Sequence, residues 1–164
     1  MRRTLALVIV ALAILLGASS WLNAQSGASA LQGAWTIQEN TSAKSRADSL
    51  KKPMGLVLFS GRHYAIAVVD AARPDFPQGD PAKATADQLR ATWGPVETQA
   101  GTFEVTGNTI RFTTLVAGSP HTMAPGNFVE FSFMLKGDTL VVTQVRTQNG
   151  PIENPFTFRL TRAK

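Results

Sequence analysis

The sequence predicts an all-β fold: an eight-stranded antiparallel up-and-down barrel with one short helix, preceded by an N-terminal signal segment. Three observations predict it. Eight short runs rich in Val, Ile, Thr and Phe, the residue types that suit pleated, half-buried surfaces, follow residue 30. Turn chemistry separates many of them, at Ser60-Gly61, Thr106-Gly107-Asn108, Lys136-Gly137-Asp138 and Gln148-Asn149-Gly150, so neighbouring strands run antiparallel. A meander of short hairpins closes into a barrel more readily than into a sandwich, which needs longer crossovers. The start of the chain is different in kind: Arg2 and Arg3, a wholly apolar run from Leu5 to Leu16, then "GASSWLNAQS", the order of a secretory leader.

The expected cut follows Ala24, giving residues 1–24 as signal peptide, 25–30 as a short linker and 31–164 as one barrel domain. An uncut single-span anchor from Leu5 to Ala24 is the alternative. Cleavage predicts a periplasmic or secreted product with no stable membrane insertion. The chain has no cysteine, which excludes disulfides, thiolate zinc, a thiol nucleophile and a lipid-modified cysteine. Its formal charge of +5 includes Arg2 and Arg3 of the leader. That is too mild a balance to imply nucleic acid, and no aromatic-rich basic strand supports such a partner.

The strands are expected near 33–39, 54–60, 62–69, 96–105, 109–117, 127–135, 139–147 and 155–162. Between the first two lies "AKSRADSLKK", residues 43–52. It reads as a solvated loop or one helical turn near the barrel end, with an anion or membrane-surface patch as the alternative. The helix is expected after the Pro-rich surface loop "DAARPDFPQGDP", with Asp80 as N-cap, Pro81 at the first helical position and Gly94 ending it in a left-handed conformation. Ala82, Ala86, Leu89 and Trp93 share one of its faces, which predicts packing on an apolar surface.

Strand alternation puts Leu31, Gly33, Trp35 and Ile37 on one face of the first strand. In the last, "PFTFRLTR", it groups Phe156, Phe158, Leu160 and Arg162. Antiparallel closure of first strand on last sets the Arg162 guanidinium near the Trp35 indole, a favourable pairing. Gly33-Ala34-Trp35 in a first strand with an arginine on the last resembles the Gly-x-Trp signature of lipocalins. "PMGLVLFSGRHYAIAV", "LKGDTLVVT" and "FTFRLTR" more specifically resemble the bacterial lipocalin-like domain family, from about Leu31 to Arg162. The chain departs from that family in having Phe158 where a tryptophan is common, and in its Pro-rich insertion. The resemblance implies a ligand-holding barrel in which Trp35 is a structural plug at the closed end.

The turn Gly137-Asp138 sets the register of the candidate site. A two-residue turn makes Leu135 face Leu140, Phe133 face Val142, Phe131 face Gln144 and Val129 face Arg146. That face is apolar, so it is the expected interior, and it carries Gln144 and Arg146 inside. An interior guanidinium needs a partner, which makes Arg146 the candidate anchor for the acidic end of a ligand. The alternative has Arg146 leaving through the mouth into solvent, and a different turn length would put Val141, Thr143 and Val145 inside instead.

Ile110, Phe112, Thr114 and Val116, continued by Phe103 and Val105, and Tyr64, Ile66 and Val68 complete the expected wall. The candidate ligand-binding set is Arg146, Gln144, Tyr64, Phe112, Thr114, Phe131 and Val142, and the ligand a small hydrophobic or amphipathic molecule. A side-chain-filled barrel is the alternative.

No catalytic residue, cofactor or metal is expected. Ser119 and His121 share a loop without a nucleophile elbow or a placed acid. His63 and His121 lack zinc spacing, and Asp70, Asp75 and Asp80 lack the density of a calcium loop. A barrel isomerase or cyclase using Arg146, Gln144 or Tyr64, and a solid structural or adaptor barrel, are the rival readings.

Overall fold

Tight glycine turns set the antiparallel plan. Gly61, Gly107 and Gly137 each adopt a φ near 60° (59°, 58° and 56°), a left-handed conformation that costs a residue without Cβ little. The strands they join pair residue by residue, as in Ser60 with His63, Thr106 with Thr109 and Lys136 with Thr139. The computed structural model describes residues 27–42, 45–50, 54–69 and 83–164. The expected leader and the Pro-rich stretch with Asp70, Asp75 and Asp80 lie outside them.

Ten strands are described: β1 (Gly33–Ser42), β2 (Ser45–Leu50), β3 (Met54–Ser60), β4 (His63–Val69), β5 (Val96–Thr106), β6 (Thr109–Ala117), β7 (Val129–Lys136), β8 (Thr139–Thr147), β9 (Gly150–Pro151) and β10 (Phe156–Arg162). Eight of them, β1, β3 to β8 and β10, form the expected closed antiparallel barrel, with β10 pairing both β1 and β8. The other two extend it. β2 folds back on β1 where a loop or helical turn was expected over residues 43–52, and β9 is a two-residue strand added to β8.

Two helical pieces matter to the plan. Residues 27–31 form a short helix, α1, that plugs one end of the barrel. Ala28 packs on the core, and a Cβ on Gly27 would stand 3.0 Å from Val105 Cγ1. The expected linker, 25–30, therefore contributes to the plug from Gly27 onward.

The second helix, α2 (Ala86–Trp93), differs from its expected form. Its N-cap is Thr85, whose hydroxyl accepts from Gln88 N while the Gln88 carboxamide accepts from Thr85 N. This capping box satisfies two otherwise orphaned groups and sets the start one turn after the Asp80-Pro81 signal. Gly94 ends α2 in a right-handed conformation, φ −55° and ψ −41°, not a left-handed one. The expected apolar face does not pack inward either: Trp93 is 61% and Leu89 39% exposed, and Thr92 is the buried residue. Among the described residues no helix is long and apolar enough to cross a membrane.

Alternation places the core. Trp35, Ile37, Val57, Phe59, Tyr64, Val68, Phe103, Val105, Ile110, Phe112, Leu140 and Leu160 all point inward and are buried, with Leu31 of α1 beneath them. Rings meet edge to face across the middle: Phe59 with Phe103 at 4.9 Å, Tyr64 with Phe112 at 4.6 Å and Phe112 with Phe131 at 5.7 Å between centroids. Each such pair adds about 0.5–1.5 kcal/mol beyond its buried area.

The end closed by α1 is thus filled with side chains. The opposite end receives the β1–β2, β4–β5, β6–β7 and β8–β10 connections.

Candidate functional site

The closed end fixes the frame. Trp35 is fully buried and donates from Nε1 to Leu31 O at 2.8 Å, pinning the indole under α1. Arg162, paired directly with Trp35 across β1 and β10, lies with its Cζ 4.3 Å from the indole centroid. Its guanidinium donates to Gln32 O at 2.8 Å and Ala30 O at 3.1 Å, and sits 3.5 Å from Asp138 Oδ1. Those carbonyls belong to the last turn of α1 and the residue after it, where unsatisfied acceptors favour a cation. Gly33 leaves room for this contact: a Cβ there would stand 3.1 Å from Arg162 Nη1, and its φ of 112° suits glycine. The expected Trp35–Arg162 pairing is therefore present, with more partners than alternation alone indicated.

Beyond the ring cluster the barrel opens into a cavity of about 370 Å³. Its apolar wall comes from Ile37, Val57, Phe59, Ile66, Val68, Phe112, Val129, Phe131, Leu140, Val142, Phe156, Phe158 and Leu160, drawn from every barrel strand except β5. Glu97 and Gln99 of β5, Thr114 of β6, and Gln144 and Thr147 of β8 supply polar groups. The 3-10 turn Pro120–Met123, the approach to β7 and the β8–β9 turn bring His121, Asn127, Phe128 and Asn149 to the rim. The barrel interior is thus filled at one end and open at the other, so the cavity and the filled core each describe one half.

Of the candidate ligand-binding residues, Phe112, Thr114, Phe131, Val142 and Gln144 line this cavity. Tyr64 stands behind the wall: it is buried, and its hydroxyl meets Thr114 Oγ1 at 3.0 Å. Arg146 does not enter the interior. A β-bulge breaks the β7–β8 register, so Phe131 pairs with Gln144 but the preceding Glu130 pairs with Arg146, leaving Val145 as the extra residue. One inserted residue reverses the facing of everything after it. Thr147, not Arg146, follows Gln144 into the cavity and pairs with Val129, which alternation had set opposite Arg146. Arg146 is exposed, its Cζ 5.9 Å from the ring centroid of Phe128 at the cavity rim, which Arg111 covers at 3.7 Å.

A second bulge corrects Val116 in the same way. Gly101 pairs with Thr114 and Ala100 with Val116, so Leu115 is extra and Val116 turns outward, 60% exposed. Gly101 permits the bulge, because a Cβ there would overlap the Thr113 carbonyl oxygen.

Glu97 and Gln99 were missed, although a signal for them existed. β5 carries no extra residue, so alternation backward from Val105 and Phe103 through Gly101 reaches Gln99 and then Glu97 on the inner face. Their side chains order a polar relay. Gln99 Nε2 donates to Glu97 Oε1 at 3.3 Å, which turns the Gln99 oxygen toward Thr114; Thr114 Oγ1 donates to it at 3.0 Å. The Tyr64 hydroxyl shares a hydrogen bond with Thr114 Oγ1 at 3.0 Å and donates toward Gln99 Oε1 at 3.5 Å. Burial of Tyr64 raises its pKa above the ordinary 10.0; the Thr114 hydrogen bond opposes the rise and the Glu97 charge adds to it. The phenol therefore remains a neutral donor.

Ser119 Oγ and His121 Nδ1 lie 2.8 Å apart on the rim. The contact spans two residues of one turn, and among the described residues no carboxylate orients the ring. No three His, Asp or Glu among the described residues are gathered to hold a metal ion.

No family model matches the chain, and no curated protein matches it. Among solved structures it is similar to an asparagine-to-alanine mutant of the fluorescent protein UnaG, at 12% identity and a TM-score of 0.38, covering 83% of this chain and 98% of that one.

Proposed function

We propose that the protein is an exported lipocalin-like barrel that binds or carries a small hydrophobic or amphipathic molecule in the periplasm or outside the cell. The cavity carries the reading. About 370 Å³ of space, walled mostly by aliphatic and aromatic side chains and open at one end only, falls in the size range of small-molecule sites. A solid adaptor barrel has no use for such a space. Export rests on the leader-like residues 1–24.

Native purification followed by solvent extraction and mass spectrometry is expected to recover a small apolar molecule in stoichiometric amount. A Val142→Trp variant, which places a large ring in the cavity, should fold and come away empty. Recovery of the same molecule from both proteins would place the ligand elsewhere, and recovery from neither would end the reading. Intact mass of the exported protein should correspond to a chain beginning at Gln25; a mass beginning at Met1 would refute cleavage.

A further inference from the structure

Resting on the ligand-binding reading above, the structure assigns the cavity a ligand class: an electroneutral amphipathic molecule whose polar group carries a hydrogen-bond-accepting oxygen, such as an alcohol, ketone or amide, rather than a carboxylate.

Two carboxamides make the case. Gln144 is half-buried on the cavity wall, opposite Phe131 and two residues from Val142. No hydrogen bond joins its side chain to another described residue, so the amide has donor and acceptor capacity directed at whatever fills the space. Gln99 is held differently. Glu97 takes one of its amide protons, and Thr114 and the Tyr64 hydroxyl donate to its oxygen, leaving the second amide proton to donate. Both sites therefore offer N–H to an oxygen, and an apolar filling would leave them desolvated without partners.

Charge decides against an acid. Among the described residues lining the cavity none is Arg or Lys, and the acidic residue in that lining, Glu97, is engaged by the Gln99 amide. The arginines nearest in register lie outside the lining: Arg111 stacks on the rim ring of Phe128 and lies 3.7 Å from Glu130, while Arg146 is turned out by the bulge at Val145. A carboxylate entering here would lose its water without gaining a cation from the described lining. A neutral oxygen gains two donors without that cost.

The test is calorimetric titration of the isolated protein at neutral pH with decanol, decanamide, decanoate and octylbenzene. Decanol and decanamide are expected to bind at least tenfold more tightly than decanoate. In the Gln99→Leu/Gln144→Leu double variant, decanamide should weaken at least fivefold while octylbenzene is unchanged, which also shows that the variant is folded. Decanoate binding as well as or better than decanamide to the wild type overturns the inference alone, and that ranking decides the matter even where the variant loses every probe. Equal weakening of decanamide and octylbenzene, or no weakening of either in a folded variant, also overturns it. If none of the four binds the wild type, the ligand-binding reading falls and takes this inference with it.

Discussion

Trp35 and Arg162 come from opposite ends of the barrel domain and hold the same corner of it. Removing the indole leaves a cavity under α1 and an unpaired Leu31 carbonyl, so Trp35→Ala is expected to cost about 3–5 kcal/mol in urea denaturation. Arg162→Ala removes two hydrogen bonds from a charged donor and the cover over the ring, for a smaller loss of about 1.5–3 kcal/mol. Equal losses for the two would show that the guanidinium, not the ring, organises the plug.

Tyr64 permits a cleaner measurement because it is the chain's one tyrosine. Its pKa is raised by burial, so tyrosinate absorbance should appear at higher pH than in the urea-unfolded chain. The sign follows from linkage: the neutral phenol is favoured in the folded state. Its contribution to stability is complete below the unfolded pKa and is lost as pH rises through the higher folded one. Thr114→Val, which removes the Thr114 hydrogen bond to Tyr64 but keeps the shape, should move that titration to still higher pH without abolishing the fold.

Strands in this molecule are regular except where a single extra residue re-aims them. The β5–β6 bulge depends on Gly101, and Gly101→Ala is expected to cost about 1–3 kcal/mol or more, the price of overpacking against a backbone carbonyl. At the β7–β8 bulge, deleting Val145 would make the partners of Phe131 and Glu130, Gln144 and Arg146, consecutive, while keeping Gln144 inward and Arg146 outward. That deletion is expected to retain cooperative melting by circular dichroism. Deleting Val141, which lies in a regular stretch between the turn and Gln144, should not, because it turns the inner face of β8 outward.

These bulges also mark where the site was hidden. From Leu135 to Phe131, and from Leu140 to Gln144, turn chemistry and alternation read the wall correctly, because every residue there has one partner. Past Gln144 the same rule sends Arg146 inward, and past Thr114 it sends Val116 inward. Nothing local in "QVRT" or "TLVA" marks an insertion; the extra residue exists only relative to the neighbouring strand. Gln99 and Glu97 were legible, since β5 has no such interruption.

Over the whole molecule, one half of the barrel is packed and the other is open, so a ligand should stabilise the fold without altering its secondary structure. Decanol at a hundredfold excess over its Kd is expected to add about 2.7 kcal/mol to the unfolding free energy, seen as a rise in Tm. No shift at saturation would mean that decanol does not bind the folded state in preference to the unfolded one. Rings from β3 to β7 separate the plug from the cavity, so Val142→Trp should alter ligand capacity with little effect on the Trp35 corner, in keeping with the near-additivity of distant sites.

The sequence by itself determined the number and direction of the barrel strands, the hairpin turns and the meeting of Trp35 with Arg162. Each follows from local alternation and glycine turn geometry, together with the one antiparallel closure that joins the first and last barrel strands. Only the tertiary structure decided that β2 pairs where a loop was expected, that α2 begins at a capping box and turns Trp93 outward, and that Arg146 faces solvent while Gln99 and Gln144 face the cavity. Those outcomes depend on which backbone lies alongside and on where a partner strand is one residue short, relations between segments that no single segment contains.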